Sequence, residues 1–205
     1  MKNKTVANAL ILFAITLLAG FGLGFVNDLT YEPIEKNRAE QLVKANRAVF
    51  PAAESFDTNA TLEAAVKNYE TILKSSQSSY GKVIIHEALE AKDSAGNVLG
   101  YLISSTSSEG YGGDITIVLG IDTAGKVIGI EFTAINETVG FGAEAANPGF
   151  KNQFSDKNVK EFKWTKGDIT ADNEIKAVSG ATKTTRAVTN AVNAAVYFAD
   201  YALLN

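Results

Sequence analysis

An apolar run, Val6–Val26, constrains this chain more than any other feature, because it contains no charged residue. A helix needs about 20 consecutive apolar residues to span the hydrocarbon core of a bilayer. A buried helix of a soluble domain would show a polar face, and this run shows none. The alternative is a cleaved signal peptide, but apolar residues continue well past Ala19-Gly20, the nearest cleavage-like site. The sequence therefore predicts an uncleaved membrane anchor over residues 6–26.

The charges that flank this run predict which way it crosses the membrane. Lysines precede the run and acidic residues follow it: Lys2, Lys4, Asp28, Glu32 and Glu35. Because cytoplasmic flanks are enriched in lysine and arginine, we expect a cytoplasmic tail over residues 1–5. The chain after the run would then lie on the outer face, periplasmic or extracellular. Gly20, Gly22 and Gly24 would either let another membrane helix approach closely or are simply tolerated in a span.

The composition narrows the possible chemistry. A net charge of −4 gives no indication of the clustered basic face typical of nucleic-acid binding. The chain has no cysteine, which excludes disulfides, thiolate-held metals and a cysteine nucleophile. The one histidine, His86, follows an apolar run and is interpreted as a strand residue rather than a metal ligand. No metal site is predicted, and any redox chemistry would require a bound organic cofactor.

Helical periodicity occurs on both sides of a strand-rich centre. After a linker at Tyr31–Pro33, apolar spacing predicts a helix over Ile34–Phe50, which Pro51 ends. A weaker helical segment follows at Thr61–Leu73, and a long helix is predicted over Thr184–Leu203. Residues 27–80 are therefore assigned to a helical linker region and residues 81–205 to a folded domain.

Four segments rich in branched residues and bounded by turns predict strands: Val83–Leu89, Val98–Ser104, Ile115–Ile121 and Val127–Ile135. A weak repeat joins them in pairs, since Asp93–Gly100 and Asp122–Gly129 share their Asp, Ala, Gly, Val and Gly positions. Aspartate opens a type I turn and glycine takes the left-handed position after it, so each copy predicts a β-hairpin. The expected fold is α+β: one N-terminal transmembrane helix, then an antiparallel sheet with packed helices.

A short turn, Ser179–Thr182, stands between an extended segment, Glu174–Val178, and the last predicted helix. Helix N-termini present free N–H groups and a partial positive charge, which together favour phosphate binding. Lys183 and Arg186 add positive charge nearby. The structural alternative is that Thr182 is only an N-cap, since serine and threonine are favoured there. The spacing is not that of a nucleotide P-loop.

The same four residues resemble the flavin-attachment motif of the FMN-binding domain family. Other segments resemble the family as well. Glu137–Gly142 is similar to its E-T-P-G-L-G loop, Tyr111–Gly113 to its G-Y-G-G segment, and Pro148–Phe154 to its F-x-x-Q-F pattern. With the anchor, the resemblance covers essentially the whole chain. The family includes the G-type subunits of Rnf electron-transport complexes and the C-type subunits of sodium-translocating NADH:quinone oxidoreductases.

The chain departs from the family pattern at three positions. Val139 stands where proline is usual, and Phe141 stands where leucine is usual. Lys176 occupies the position three residues before the motif serine, where the family often has an acidic residue.

The resemblance implies that FMN is joined to Thr182 through a phosphoester bond by a flavin transferase of the ApbE type. It also implies that residues 81–205 are an FMN-binding domain, and that the chain is an electron carrier in an Rnf-type ion-translocating ferredoxin:NAD oxidoreductase. Such a chain is a redox subunit rather than an independent enzyme, and its partners are the other subunits. The other residues implied to hold the cofactor are Tyr111, Gly112, Glu137, Thr138, Gly140, Phe141, Gly142, Ser179, Gly180, Ala181 and Thr185.

Three alternatives remain open at this stage. The chain could be the C-type subunit of a sodium-translocating quinone reductase, or a stand-alone extracellular flavoprotein. It could also be a membrane-anchored binding domain without redox chemistry, in which Thr182 only caps a helix.

Overall fold

A computed structural model describes residues 2–204 of the chain, which divide into two units at Gln41 and Leu42. The first helix, α1, runs without a break over Lys2–Val49. The linker predicted at Tyr31–Pro33 is therefore wrong. Proline removes one N–H donor, at a cost of about 3 kcal/mol, but the glutamate, lysine and leucine residues around Pro33 are strong helix formers and the helix continues through it. The predicted stop before Pro51 is confirmed.

The N-terminal part of α1 has the length and composition of a membrane span. Its most apolar 18-residue window has a mean hydropathy of 2.5, and none of that window is buried. Among the described residues it is the one helix that is long and apolar enough to cross a membrane. A signal sequence would have a similar length and composition. The prediction of an N-terminal apolar helix is thus confirmed.

The unit that begins at Leu42 is built on an antiparallel sheet of five strands in the order β1-β2-β3-β4-β5. The predicted antiparallel sheet is confirmed, and three of the four predicted strands extend a little further than expected. The strands are β1 (Ser55–Asp57), β2 (Val83–Lys92), β3 (Val98–Ser107), β4 (Ile115–Asp122) and β5 (Val127–Ile135).

The two predicted hairpin turns join β2 to β3 and β4 to β5. In the first, Asp93 Oδ1 accepts two backbone N–H groups of its own turn at 2.9 Å each. In the second, Asp122 Oδ1 accepts two at 2.9 and 2.8 Å. Gly96 and Gly125 then take φ values of +84° and +82°, which other residues rarely adopt. The sequence repeat is therefore a repeat of turn chemistry.

Helices cover the inner face of the sheet. The last of them, α5 (Thr182–Ala202), packs against β3 and β4 through fully buried alanines, among them Ala187, Ala191 and Ala195. Their small side chains let the helix come so close that Ser105 Oγ on β3 donates to the carbonyl of Ala191 at 3.2 Å. The helices after α1 are α2 (Ala60–Lys67), α3 (Tyr69–Lys74), α4 (Pro148–Lys151) and α5 (Thr182–Ala202).

The outer face of the sheet is partly apolar and partly polar. The C-terminal end of α1 covers one part, where a Cβ on Gly120 would lie 2.2 Å from Val49 Cγ1. The polar part carries His86, whose Nε2 lies 2.8 Å from Thr106 Oγ1, which in turn lies 2.7 Å from Thr116 Oγ1. His86 is thus a strand residue in a hydroxyl network, and the described residues contain no cluster suited to a metal.

A small parallel sheet of two strands, β6 (Lys163–Thr165) and β7 (Glu174–Lys176), precedes α5. The buried side chain of Asn193 on α5 anchors the segment before β6, since its amide bonds the N–H and the carbonyl of Phe162 at 2.8 and 2.9 Å. The extended segment predicted at Glu174–Val178 is observed as β7 and the residues after it, which lead to the turn before α5.

Candidate functional site

A cleft of about 350 Å³ opens at the N-terminus of α5. Three segments that are distant in sequence meet there: the β3–β4 connection, the loop after β5, and the first turn of α5. The cleft is lined by Tyr111, Glu137, Thr138, Phe141, Gly142, Gly180, Ala181, Thr182, Lys183 and Thr184.

The turn before α5 leaves the hydroxyl of Thr182 out of any cap. Ala181 occupies the N-cap position, where the structure has no side-chain cap, and Thr182 is the first helical residue. The helix thus begins two residues before the predicted Thr184. The chain reaches this geometry through Gly180, whose φ is +72°, and through a hydrogen bond from the N–H of Ala181 to Val178 O at 3.1 Å. Thr182 is half-buried at the cleft.

Thr185 does not line the cleft, but its side chain makes hydrogen bonds to the backbone of the turn. Its buried hydroxyl accepts the N–H of Val178 at 3.1 Å and donates to the carbonyl of Ala181 at 3.0 Å. The hydroxyl therefore connects Val178, before the turn, to the N-cap residue Ala181. Its role is to position Thr182, three residues earlier in the helix.

Gln153 fixes the segment that leads into the turn. Its side-chain carbonyl accepts the N–H of Lys176 at 2.7 Å, and its amide nitrogen donates to the carbonyl of Lys176 at 3.2 Å. One side chain thus satisfies both backbone groups at the end of β7. This explains in physical terms why a glutamine in the Pro148–Phe154 segment accompanies the Ser179–Thr182 turn.

Three backbone donors face outward at the start of α5. The first N–H that pairs back within the helix is that of Thr185, which donates to Ala181 O at 2.9 Å. Among the described residues, no acceptor is found for the N–H groups of Thr182, Lys183 and Thr184. Together with the helix dipole and the exposed cations of Lys183 and Arg186, they make this end of the cleft suitable for an anion.

Glu137 ties two walls of the cleft together. Its Oε1 accepts the backbone N–H of Tyr111 at 2.7 Å, which joins the loop after β5 to the β3–β4 connection. The glycines around it allow this close approach. A Cβ on Gly112 would lie 1.9 Å from Asn136 O, and one on Gly110 would lie 2.9 Å from Glu137 Oε1. The carboxylate is thus held in one orientation by the loops.

Thr184 is the unusual polar group of the cleft. The residue is 1% exposed, and its Oγ1 has no hydrogen-bond partner. A Cβ on Gly142 would lie 2.6 Å from this oxygen and 2.6 Å from Glu137 Oε2. A buried hydroxyl without a partner costs about 1–3 kcal/mol, so this oxygen indicates a ligand atom beside it.

Two aromatic rings form the open side of the cleft. Phe141 is 54% exposed, and a Cβ on Gly180 would lie 3.1 Å from its Cδ1. Tyr111 is 72% exposed, with Lys183 Nζ 5.9 Å from its ring centroid. Exposed rings of this size are typical of surfaces that bind a planar apolar ligand or a partner.

Most of the residues proposed from the sequence come together in this cleft. Those that line it are Tyr111, Glu137, Thr138, Phe141, Gly142, Gly180, Ala181 and Thr182.

Four proposed residues lie outside the lining. Gly112 and Gly140, with φ of +78° at Gly140, shape the loops, and Ser179 is exposed at the turn. Thr185 is buried beneath the turn. Sequence reasoning missed Thr184 as a lining residue and noted Lys183 only as a nearby charge. The helix was predicted to begin at Thr184, so nothing in that prediction turned its side chain toward the cleft.

Comparison with known proteins shows which families and chains this one resembles. The model of the FMN-binding domain matches residues 110–197. The G-type subunit of the Na(+)-translocating ferredoxin:NAD(+) oxidoreductase complex of Acetobacterium woodii is 32% identical over 191 residues, which cover 91% of this chain and 87% of that protein. The G-type subunit of the ion-translocating oxidoreductase complex of Shewanella piezotolerans is 26% identical over 205 residues, covering 98% and 92%. Among solved structures, Shewanella oneidensis NqrC aligns with a TM-score of 0.49 at 15% identity, covering 74% of this chain and 70% of that one.

Proposed function

This chain belongs to the family of FMN-binding G-type subunits of ion-translocating oxidoreductase complexes, and on that premise we propose that it carries electrons through FMN joined to Thr182. The complex would be an Rnf-type ferredoxin:NAD oxidoreductase, in which this chain is a membrane-anchored redox subunit. The names of the similar G-type subunits favour this complex over the quinone reductase.

The described residues fit FMN at both of its ends. The free N–H groups of the first turn of α5 suit a phosphate, and the aromatic side chains of Tyr111 and Phe141 suit a flat ring system. The unpartnered hydroxyl of Thr184 would supply a hydrogen-bonding group for a polar atom of the ring system. FMN, when bound, supplies the electron transfer. The chain holds the phosphate, orients the ring and limits its contact with water.

The observation that carries the proposal is the state of Thr182. The residue lines the cleft, and it stands at the first helical position instead of capping the helix. A phosphoester bond to its hydroxyl would therefore not remove a helix cap. A covalent tether would keep FMN on the protein where free FMN is dilute. We propose that a flavin transferase of the ApbE type forms this bond.

The membrane topology is part of the same proposal. The apolar window of α1 would cross the membrane with residues 1–5 in the cytoplasm, and the unit from Leu42 would lie on the outer face. The lysines before the span and the acidic residues after it support this orientation. The remaining subunits of the complex would be its partners.

The test is mass spectrometry of the full chain co-expressed with a flavin transferase. We expect a mass gain of one FMN less one water, and flavin fluorescence that survives denaturation in a gel. Thr182→Ala should abolish both signals. An unmodified wild-type chain under these conditions would refute covalent attachment.

A matched control distinguishes the hydroxyl of Thr182 from its neighbours. Ser179→Ala removes the other motif hydroxyl, which is exposed outside the cleft lining, and should leave the mass gain in place. If Thr182→Ala retained the flavin and Ser179→Ala lost it, the flavin would be attached to Ser179 and the proposal for Thr182 would be wrong.

A further inference from the structure

We infer that Thr184 and Glu137 form a donor–acceptor pair that binds the pyrimidine edge of the flavin ring, an inference that rests on the proposed binding of FMN in this cleft. Thr184 Oγ1 would donate to a ring carbonyl, and Glu137 Oε2 would accept the adjacent ring N3–H. Neither residue was expected to contact that edge from the sequence.

The first reason is the isolation of the Thr184 hydroxyl. Thr184 is 1% exposed, so solvent cannot satisfy its Oγ1, and the described residues provide no partner for it. The other buried threonines of α5 differ in this respect. Thr185 Oγ1 donates to Ala181 O at 3.0 Å, and Thr189 Oγ1 donates to Thr185 O at 2.8 Å. A buried hydroxyl that does not bond back to its own helix, in a residue that lines a cleft, indicates a ligand atom beside it.

The second reason is the fixed position of the Glu137 carboxylate. Its Oε1 is occupied by the N–H of Tyr111 at 2.7 Å, which leaves Oε2 as the oxygen that faces Gly142. Oε2 and Thr184 Oγ1 each lie 2.6 Å from the point that a Cβ on Gly142 would occupy. An acceptor and a donor therefore lie against the same side of Gly142, in residues that line the cleft.

The third reason is the chemistry of the ligand. The pyrimidine part of the isoalloxazine ring presents an N3–H donor between two carbonyl acceptors. A carboxylate oxygen beside a hydroxyl offers the complementary pair, an acceptor for the N3–H and a donor for a carbonyl. The phosphate end of the cofactor has no donor for Glu137 and would be repelled by its negative charge. The ring edge presents its donor and acceptor in one fixed plane, whereas the ribityl hydroxyls rotate, so the fixed Glu137 carboxylate favours placing this pair against the ring.

The two groups should change the reduction potential of the flavin in opposite directions. The ring gains electron density on reduction, so a nearby carboxylate disfavours the reduced form, while a hydroxyl donor to a carbonyl favours it. Glu137→Gln should raise the midpoint potential, and Thr184→Val should lower it. The Glu137→Gln variant retains an acceptor for the N–H of Tyr111, so the loops keep their connection.

The experiment measures midpoint potentials of the full chain in detergent after mass spectrometry has verified the flavin on each variant. Thr184→Ser keeps a hydroxyl at this position and should therefore have the wild-type midpoint potential. Thr189→Val is the matched control, because Thr189 is a buried threonine of the same helix outside the cleft lining and should leave the potential unchanged. Wild-type potentials in Glu137→Gln and Thr184→Val, or shifts in the same direction, would overturn the inference.

A second measurement stands apart from covalent attachment. Lumiflavin, which has the ring without the phosphate, is titrated into the unmodified full chain and followed by fluorescence quenching. Thr184→Val should weaken its binding about tenfold, the cost of one buried hydrogen bond, and Thr189→Val should not. Lumiflavin methylated at N3 should bind the wild-type chain about tenfold more weakly or worse, because it lacks the donor for Glu137. Equal binding of both ligands, or unchanged binding to Thr184→Val, would refute the pair even if FMN is attached at Thr182.

Discussion

The side-chain amide of Gln153 makes both of the hydrogen bonds to Lys176 that the backbone of a neighbouring strand would make, at 2.7 and 3.2 Å. The loop after α4 is thereby attached to the end of β7, a few residues before Thr182. The geometry of the proposed attachment site thus depends on a residue that does not line the cleft.

Gln153→Ala should lower the free energy of unfolding by about 1–3 kcal/mol, because it leaves two backbone groups of Lys176 without partners. Hydrogen exchange of the Lys176 amide should accelerate, and flavin attachment at Thr182 should slow. Gln77→Ala, in an exposed loop, is the control and should change none of these quantities. Unchanged exchange at Lys176 would show that Gln153 does not hold this segment.

Gly180→Ala should lower the free energy of unfolding by about 1–2 kcal/mol, because alanine at a φ of +72° is strained. Its Cβ would also lie 3.1 Å from Phe141 Cδ1, which requires that ring to move by a few tenths of an ångström. Gly149→Ala is the control, since Gly149 lies in α4 with open space around it, and it should be neutral or slightly stabilising. Urea unfolding of both variants makes the comparison, and equal effects would contradict the strain at Gly180.

Stability should fall as pH decreases below about 6.5, in part because of His86. Partial burial against the sheet lowers the pKa of its imidazole from the ordinary value of 6.5, and the nearby carboxylate of Asp114 opposes this shift only in part. The unfolded chain therefore binds more protons than the folded chain as pH falls through 6.5, and folding becomes less favourable. Urea unfolding between about pH 5 and pH 8 should show a shallower pH dependence for His86→Gln, which keeps a partner for Thr106. An identical slope in wild type and variant would rule out this contribution.

The proposed topology can be tested with single cysteines, because the chain has none of its own. Ser79→Cys should react with a membrane-impermeant maleimide on intact cells, while Thr5→Cys should react only after the membrane is permeabilised. Mass spectrometry of the labelled chain gives the readout, and the wild-type chain is the unlabelled control. The reverse pattern would place the main unit in the cytoplasm.

Local chemistry made much of the fold predictable. The hairpins at Asp93 and Asp122 followed from an aspartate that bonds its own turn and a glycine at positive φ, both of which act within a few residues. The four strands that flank these turns were predicted from their content of branched residues. Pro33 was misleading for the opposite reason, since the cost of one proline was outweighed by helix formers on both sides.

The site was predictable only in part, because its contacts join distant segments. The residues of the Ser179–Thr182 turn and the Glu137–Gly142 loop carried a family resemblance, so their involvement was expected. The unsatisfied hydroxyl of Thr184 could not be expected, since it depends on the helix beginning at Thr182 and on the approach of Gly142. The paired hydrogen bonds between Gln153 and Lys176 likewise require a fold that brings two loops together.

The position of α5 after all five strands of the sheet has a consequence for biogenesis. This helix covers the central strands β3 and β4, so the sheet lacks its inner cover until α5 has been synthesised. A prematurely ended chain would lack both the cover and the first turn that presents Thr182. Cofactor loading would then require a folded chain that includes α5, and a bound flavin would mark such a chain before assembly.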